Sequence, residues 1–265
     1  MVVLRELLEA LDEETAALRG VLAPLDERRW NVPTPAPGWA VRDQVTHLAH
    51  FDDALTLALT DPDEFRVHRE AAQRDVDGFT ARVADEHRRE AAAAVLAWWE
   101  RARAALATAA LAADPSVRVP WYGLDMSVNS AVTARVMETW AHGQDVYDAC
   151  GLPHPITAAV PHVAFLGVRT FANSFLARGL AVPDAAPVVE LVDSDGRWTV
   201  WGEDGRGERV RGPMVDFCLV VTQRRHIDDT ALQVDGVVAH EWTSIAQAFA
   251  GPPGEGRRPT KKEKG

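Results

Sequence analysis

The chain has 265 residues, 47% hydrophobic and 25% charged, the composition of an ordinary globular protein. Lys plus Arg number 28 against 39 Asp plus Glu, and the net charge of -11 argues against a nucleic-acid partner. No apolar run reaches the roughly 20 residues of a membrane-crossing helix, and the N-terminus turns acidic where a signal peptide carries its apolar core, so a cytoplasmic protein is expected. The two cysteines, Cys150 and Cys218, make neither a disulfide framework nor a zinc-finger spacing.

Residues 1–155 read as the first domain, helical over 1–150. Leu4, Leu7, Leu8, Leu11, Ala16, Leu18 and Leu22 recur near the helical period, with acidic residues between them. A loop of turn formers follows from Asn31 to Gly38. A second helix is predicted from Val41 to about Leu59, stopped by Asp61-Pro62. The charged stretch from Phe65 to Glu90 reads as connecting helix and loop. An alanine-rich third helix is expected from Glu90 to Leu111, and Pro115 and Pro120 mark the next loop. The fourth begins near Ser127 or Ser130 and ends at Cys150-Gly151, a glycine stop. Four long helices with polar loops predict a bundle.

From residue 156 to 250 the pattern is that of a small α+β domain. One helix is predicted from Ala158 to Arg178. Strands are predicted at Val188–Val192, Arg197–Trp201 and Glu208–Arg211, with turns at Ser194–Gly196 and Gly202–Gly207. Gly212-Pro213 opens a helix from Met214 to about Thr222, and Val237–Phe249 closes the domain. The Gly-, Pro- and Lys-rich tail, residues 251–265, is expected to be disordered.

The fourth helix carries Glu138-Thr139-Trp140-Ala141-His142-Gly143-Gln144-Asp145. Residues three, four and seven apart share a helix face, so Glu138, His142 and Asp145 form one stripe. A carboxylate and an imidazole at this spacing can hold a divalent ion, which needs at least one ligand more. The second helix offers His47 or His50 beside the apolar Val45, Leu48 and Phe51. Spacing alone leaves open the plainer alternative of an exposed Glu-x-x-x-His and partly buried structural histidines.

Gly38-Trp39-Ala40-Val41-Arg42-Asp43-Gln44-Val45-Thr46-His47-Leu48-Ala49 resembles the second-helix signature of the DinB-like four-helix metalloproteins. It is most similar to the actinobacterial branch around mycothiol-dependent maleylpyruvate isomerase, whose fourth helix carries the Glu-x-x-x-His-x-x-Asp matched by Glu138, His142 and Asp145. Gly212-Pro213-Met214-Val215-Asp216, leading to Arg224-Arg225, resembles the family's C-terminal module. The resemblance spans most of residues 5–250.

It implies a two-domain α+β protein with a divalent metal, zinc foremost, on His47, Glu138 and His142, and mycothiol as cosubstrate. His50 becomes a packing residue and a fallback ligand. The family's logic is a metal-ionised thiol that attacks an electrophilic carbon; elimination then gives an isomerase, retention a transferase. Asp145 is placed beside a ligand histidine or the thiol, and Arg224 or Arg225 against a substrate carboxylate. For Asp145 the alternative is a solvated helix face, and for the arginines a charge at a helix C-terminus. Arg42 and Asp43 are expected to cap and brace the second helix, and Trp121-Tyr122-Gly123 to line a pocket mouth. Neither cysteine has a nearby base, so a cysteine nucleophile is not expected. The long segment Asp61–Glu90 and the segment Asp216–His226, where the family carries an apolar helix and a single arginine, depart from the isomerase pattern and bear on the substrate. A non-catalytic metal- or ligand-binding protein of the same fold is the alternative.

Overall fold

A computed structural model of the chain describes residues 2–73, 78–114, 116–203 and 207–260. Pro115, residues 74–77 of the charged stretch, residues 204–206 of the second expected turn and the last five residues of the tail lie outside that description. Two compact units emerge, Met1–Ala159 and Val160–Gly265.

Unit one holds helices α1 (Val2–Leu22), α2 (Glu27–Trp30), α3 (Val41–Thr60), α4 (Pro62–Gln73), α5 (Phe79–His87), α6 (Ala92–Ala112) and α7 (Val128–Cys150), with a two-stranded ribbon of β1 (Arg118–Val119) and β2 (Met126–Ser127) before α7. Helix α3 packs on α6 and α7, and α1 on α7 and α6. The ends of α7 follow their signals. Ser127 Oγ accepts from the N–H of Ser130, and Gly151 takes the left-handed conformation that stops the helix. Asp43 caps α3 by accepting the Ala40 N–H, and Arg42 braces it through the carbonyls of Arg88 and Glu90.

The charged stretch is more ordered than its composition suggests. Pro62, which ends α3, sits in the first turn of α4, where its missing N–H costs nothing. Among the described residues, 62–73 and 79–87 are both helical and pack on α3.

Apolar faces of α1, α3, α6 and α7 bury Leu18, Leu22, Val45, Leu48, Val95, Trp99 and Val146 around Trp30. Below this core lies a polar knot. Asp52 of α3, fully buried, accepts from Arg103 Nε of α6 at 2.8 Å and Arg135 Nε of α7 at 3.0 Å. Arg103 also donates to Thr15 of α1 and Thr139 of α7, and Arg135 to the Leu48 carbonyl. A second buried carboxylate, Glu14 of α1, accepts from Thr157 and is bonded to His154 at 2.8 Å. Gly143 of α7 faces this pair, and a Cβ there would meet Glu14 Oε1 at 3.4 Å and His154 at 3.7 Å, ordinary contact distances.

Unit two contains α8 (Ala159–Arg169), α9 (Phe171–Leu176), β3 (Val188–Val192), β4 (Trp198–Trp201), β5 (Arg209–Pro213), α10 (Met214–Val221), β6 (Gln233–Asp235) and α11 (Val237–Ile245). The sheet order is β4-β3-β5-β6; β3 pairs antiparallel with β4 and parallel with β5, and β6 runs antiparallel to β5. The helix expected over 158–178 is two, α8 and α9, divided at Thr170 and ended at Leu176. The last helix stops at Ile245 rather than Phe249, because the N–H groups of Gln247 and Ala248 find partners in Ser174 Oγ and the Val221 carbonyl. Strand β6, a fourth strand beyond the three expected, fills the edge beside β5. Tail residues 251–260 are irregular, and Thr260 bonds the Asp229 carboxylate. No described helix is long and apolar enough to cross a membrane.

The polar knot yields a stability test. Asp52→Ala strands two buried guanidinium groups and is expected to cost about 3–5 kcal/mol in urea unfolding. Asp63→Ala, on an exposed ion pair with Arg66, is expected to change stability by less than about 1 kcal/mol. Equal losses in the two variants would refute the special standing of the knot.

Candidate metal centre

The α3–α7 contact places His47 opposite Glu138 and His142. The three residues each offer a ligand atom, and these atoms all lie within 4.8 Å of one another. One oxygen, Glu138 Oε2, stands 3.0 Å from His142 Nε2 and 3.5 Å from His47 Nε2. Tetrahedral nitrogen and oxygen ligands about 2.0–2.1 Å from a zinc ion stand roughly 3.4 Å apart, so the donor set fits such an ion in type and spacing. The site is half-sheltered, its three side chains 11–19% exposed.

The electrostatics suit a cation. Burial pushes the Glu138 carboxyl up, but hydrogen bonds and charge from His142 and His47 outweigh it and hold the group well below the usual carboxylate range. A permanent negative charge thus faces two imidazole nitrogens.

Aromatic rings wall the site. Trp39 stacks on His142, with ring centroids 5.7 Å apart and planes 18° apart, and lies 5.3 Å from His47. Phe51 covers the other side of His47 at 4.5 Å. Trp121 and Tyr122, expected at a pocket mouth, pack on Phe51 and Phe65. Beside Trp39 opens a cavity of about 480 Å³, lined also by Asn31, Arg42, Asp43 and Arg88.

The other candidates fall elsewhere. His50, the fallback ligand, is outside the converging triad; its ring meets Phe51, Phe79 and His68, and its buried Nε2 has no hydrogen-bond partner among the described residues. Asp145 is fully buried on α7, three residues after His142. Arg224 and Arg225 belong to unit two, where their guanidinium groups donate to the carbonyls of Thr222 and Arg224 just past α10. Cys218 is fully buried, and burial pushes its thiol up.

Sequence reasoning missed Gln44, Thr34 and the knot of Asp52, Arg103 and Arg135. Gln44 is fully buried and its Oε1 lies 2.5 Å from His142 Nδ1, while its Nε2 donates to Thr34 Oγ1 at 2.8 Å. A signal was present: Gln44 precedes His47 by three residues and so shares its helix face.

Comparison with known proteins follows this geometry. The fold is shared with the crystal structure of the mycothiol-dependent maleylpyruvate isomerase, at a TM-score of 0.57 and 14% identity over 87% of this chain and 92% of that one. A histidine-to-alanine mutant of that isomerase matches at 0.57 and 15%, over 85% and 90%. The family described as "Mycothiol maleylpyruvate isomerase N-terminal domain" matches residues 11–147, which include all three converging residues, and the chain belongs to this family. Uncharacterized proteins from two Mycobacterium tuberculosis strains are each 40% identical over 93% of this chain and 96% of their own length.

Burial, then repulsion from His68 and His47, lowers the His50 imidazole from 6.5 to about 4. The unfolded chain therefore binds a proton between these values that the folded chain refuses, so stability is present above pH 6.5 and falls as the pH drops towards 4. The integrated loss is about 3 kcal/mol. In metal-free protein, His50→Gln is expected to flatten that part of the stability–pH curve; an unchanged slope would contradict the assignment.

Proposed function

We propose that the chain is a divalent-metal-dependent enzyme that activates a low-molecular-weight thiol, mycothiol, for addition to an electrophile, as an isomerase or an S-transferase. The observation that carries the proposal is the convergence of His47, Glu138 and His142 from α3 and α7, both histidine nitrogens within 3.5 Å of one Glu138 oxygen. Membership of the mycothiol maleylpyruvate isomerase family points the same way.

In this reading His47, Glu138 and His142 hold the metal and leave coordination positions open, as catalytic rather than structural sites do. The metal, when bound, supplies a positive charge that lowers the pKa of a thiol. The chain does the rest. Trp39 and Phe51 exclude water from the flanks of the histidines, which strengthens electrostatic interactions at the site. The cavity beside Trp39 offers room for the polar body of the thiol. Asp145, three residues after His142 on the same helix, is assigned a positioning role. A cytoplasmic location follows from the same reading, where a reduced thiol pool is at hand.

The test is elemental analysis of gently purified protein beside His142→Ala, followed by assay of both with mycothiol and maleylpyruvate. About one zinc per chain, lost with turnover in the variant, is the expected result. No metal in the wild type after reloading would overturn the proposal. Metal without any thiol-dependent reaction would favour a binding protein of the same fold.

A further inference from the structure

The hydrogen bonds around Gln44 have only one consistent assignment of protons. Thr34 Oγ1 carries a single proton and stands 2.9 Å from the Trp39 carbonyl oxygen, which can only accept. The proton is committed there, so towards Gln44 the hydroxyl can only accept. The Gln44 atom 2.8 Å from it must therefore be the amide nitrogen, and the amide oxygen must face His142. That oxygen also can only accept, so the His142 Nδ1, 2.5 Å away, carries the hydrogen. With Nδ1 carrying the hydrogen that Gln44 accepts, Nε2, which bonds Glu138 in the metal-free protein, is the nitrogen whose lone pair is freed for a metal once the proton shared with Glu138 leaves.

We propose that Gln44 is a positioning residue that holds His142 in the Nδ1–H tautomer and fixes its ring, so that Nε2 is presented ready to bind a metal; the metal half of this proposal rests on the reading of the site given above. The chain of control starts in the loop before α3. Residues 32–41 are pinned by a backbone bridge between Pro33 and Ala40 and by the Thr34 N–H on the Trp39 carbonyl. The same loop lays the Trp39 ring on His142, so one segment sets both the ring's plane and its proton. The choice of an amide has an electrostatic consequence. A carboxylate at this place would add a second negative charge, whereas a glutamine leaves Glu138 as the sole anion of the donor set. A bound dication then keeps a net positive charge with which to receive an anionic thiolate.

The test uses the full chain with Gln44→Leu, Gln44→Glu and Thr34→Val. The zinc dissociation constant is measured by competition with a chromophoric chelator. The histidine ring tautomers are read from nitrogen–proton correlation spectra of the metal-free protein at mildly alkaline pH. His142 is expected as Nδ1–H in the wild type. Gln44→Leu is expected to weaken zinc by roughly 10–100-fold and to release the tautomer to a mixture, with the helical circular dichroism retained. Gln44→Glu, which still accepts from Nδ1–H, should rescue the tautomer and most of the affinity. Thr34→Val, which frees the amide to turn, should fall between.

A His142 without a hydrogen on Nδ1 in the wild type, or wild-type zinc affinity in Gln44→Leu, overturns the proposal. A wild type that binds no zinc overturns the metal reading and the metal half of this inference. The tautomer spectra then decide the other half by themselves.

Discussion

The first unit depends on one buried carboxylate. Asp52 serves two guanidinium groups, Arg103 and Arg135, whose remaining hydrogen bonds reach Thr15, Thr139 and the Leu48 carbonyl, so every long helix of the unit is tied to the same point. Apolar surfaces can slide against one another at little cost, but a buried ion triad tolerates only the register that satisfies it. That register is the one the metal centre needs. Asp52 lies five residues after His47 on α3, and Arg135 three before Glu138 on α7. Locking Asp52 to Arg135 therefore fixes, a turn or so away, how closely His47 can face Glu138.

The centre divides its labour between rigid and local elements. Helices supply the three ligand atoms, and a short pinned loop supplies the orientation of one of them. The carboxylate is kept charged by its neighbours while burial works against that charge. An anion facing two imidazoles inside an aromatic enclosure has the electrostatics that suit a cation.

The long helices were legible because their signals are local. Ser127 caps α7 and Gly151 ends it; Asp61-Pro62 ends α3. The stripe of Glu138 and His142 followed from helical spacing. What escaped depended on tertiary partners. Pro62 reads as a stop, yet the same residue starts α4. The break at Arg169-Thr170-Phe171 carries no Pro or Gly to announce it. Ribbon β1–β2 pairs two residues with two, too short for any alternation to show. Asp52 and its arginines pair across 51 and 83 positions, and no periodicity joins them. Gln44 was visible as a polar residue on the ligand face of α3, but only the fold shows what it holds.

His47 and Glu138 are 91 residues apart in the chain, with α4, α5 and α6 strung between them. An ion gripping both ends closes that span into a ring, as a disulfide would, but reversibly. Loop-closure arithmetic puts the effect of such a staple on the unfolded ensemble at about 4–5 kcal/mol. The ion would then govern the lifetime of the molecule as well as its chemistry. Metal-starved chains would open more often and meet proteases sooner, and the supply of metal would set how much protein persists.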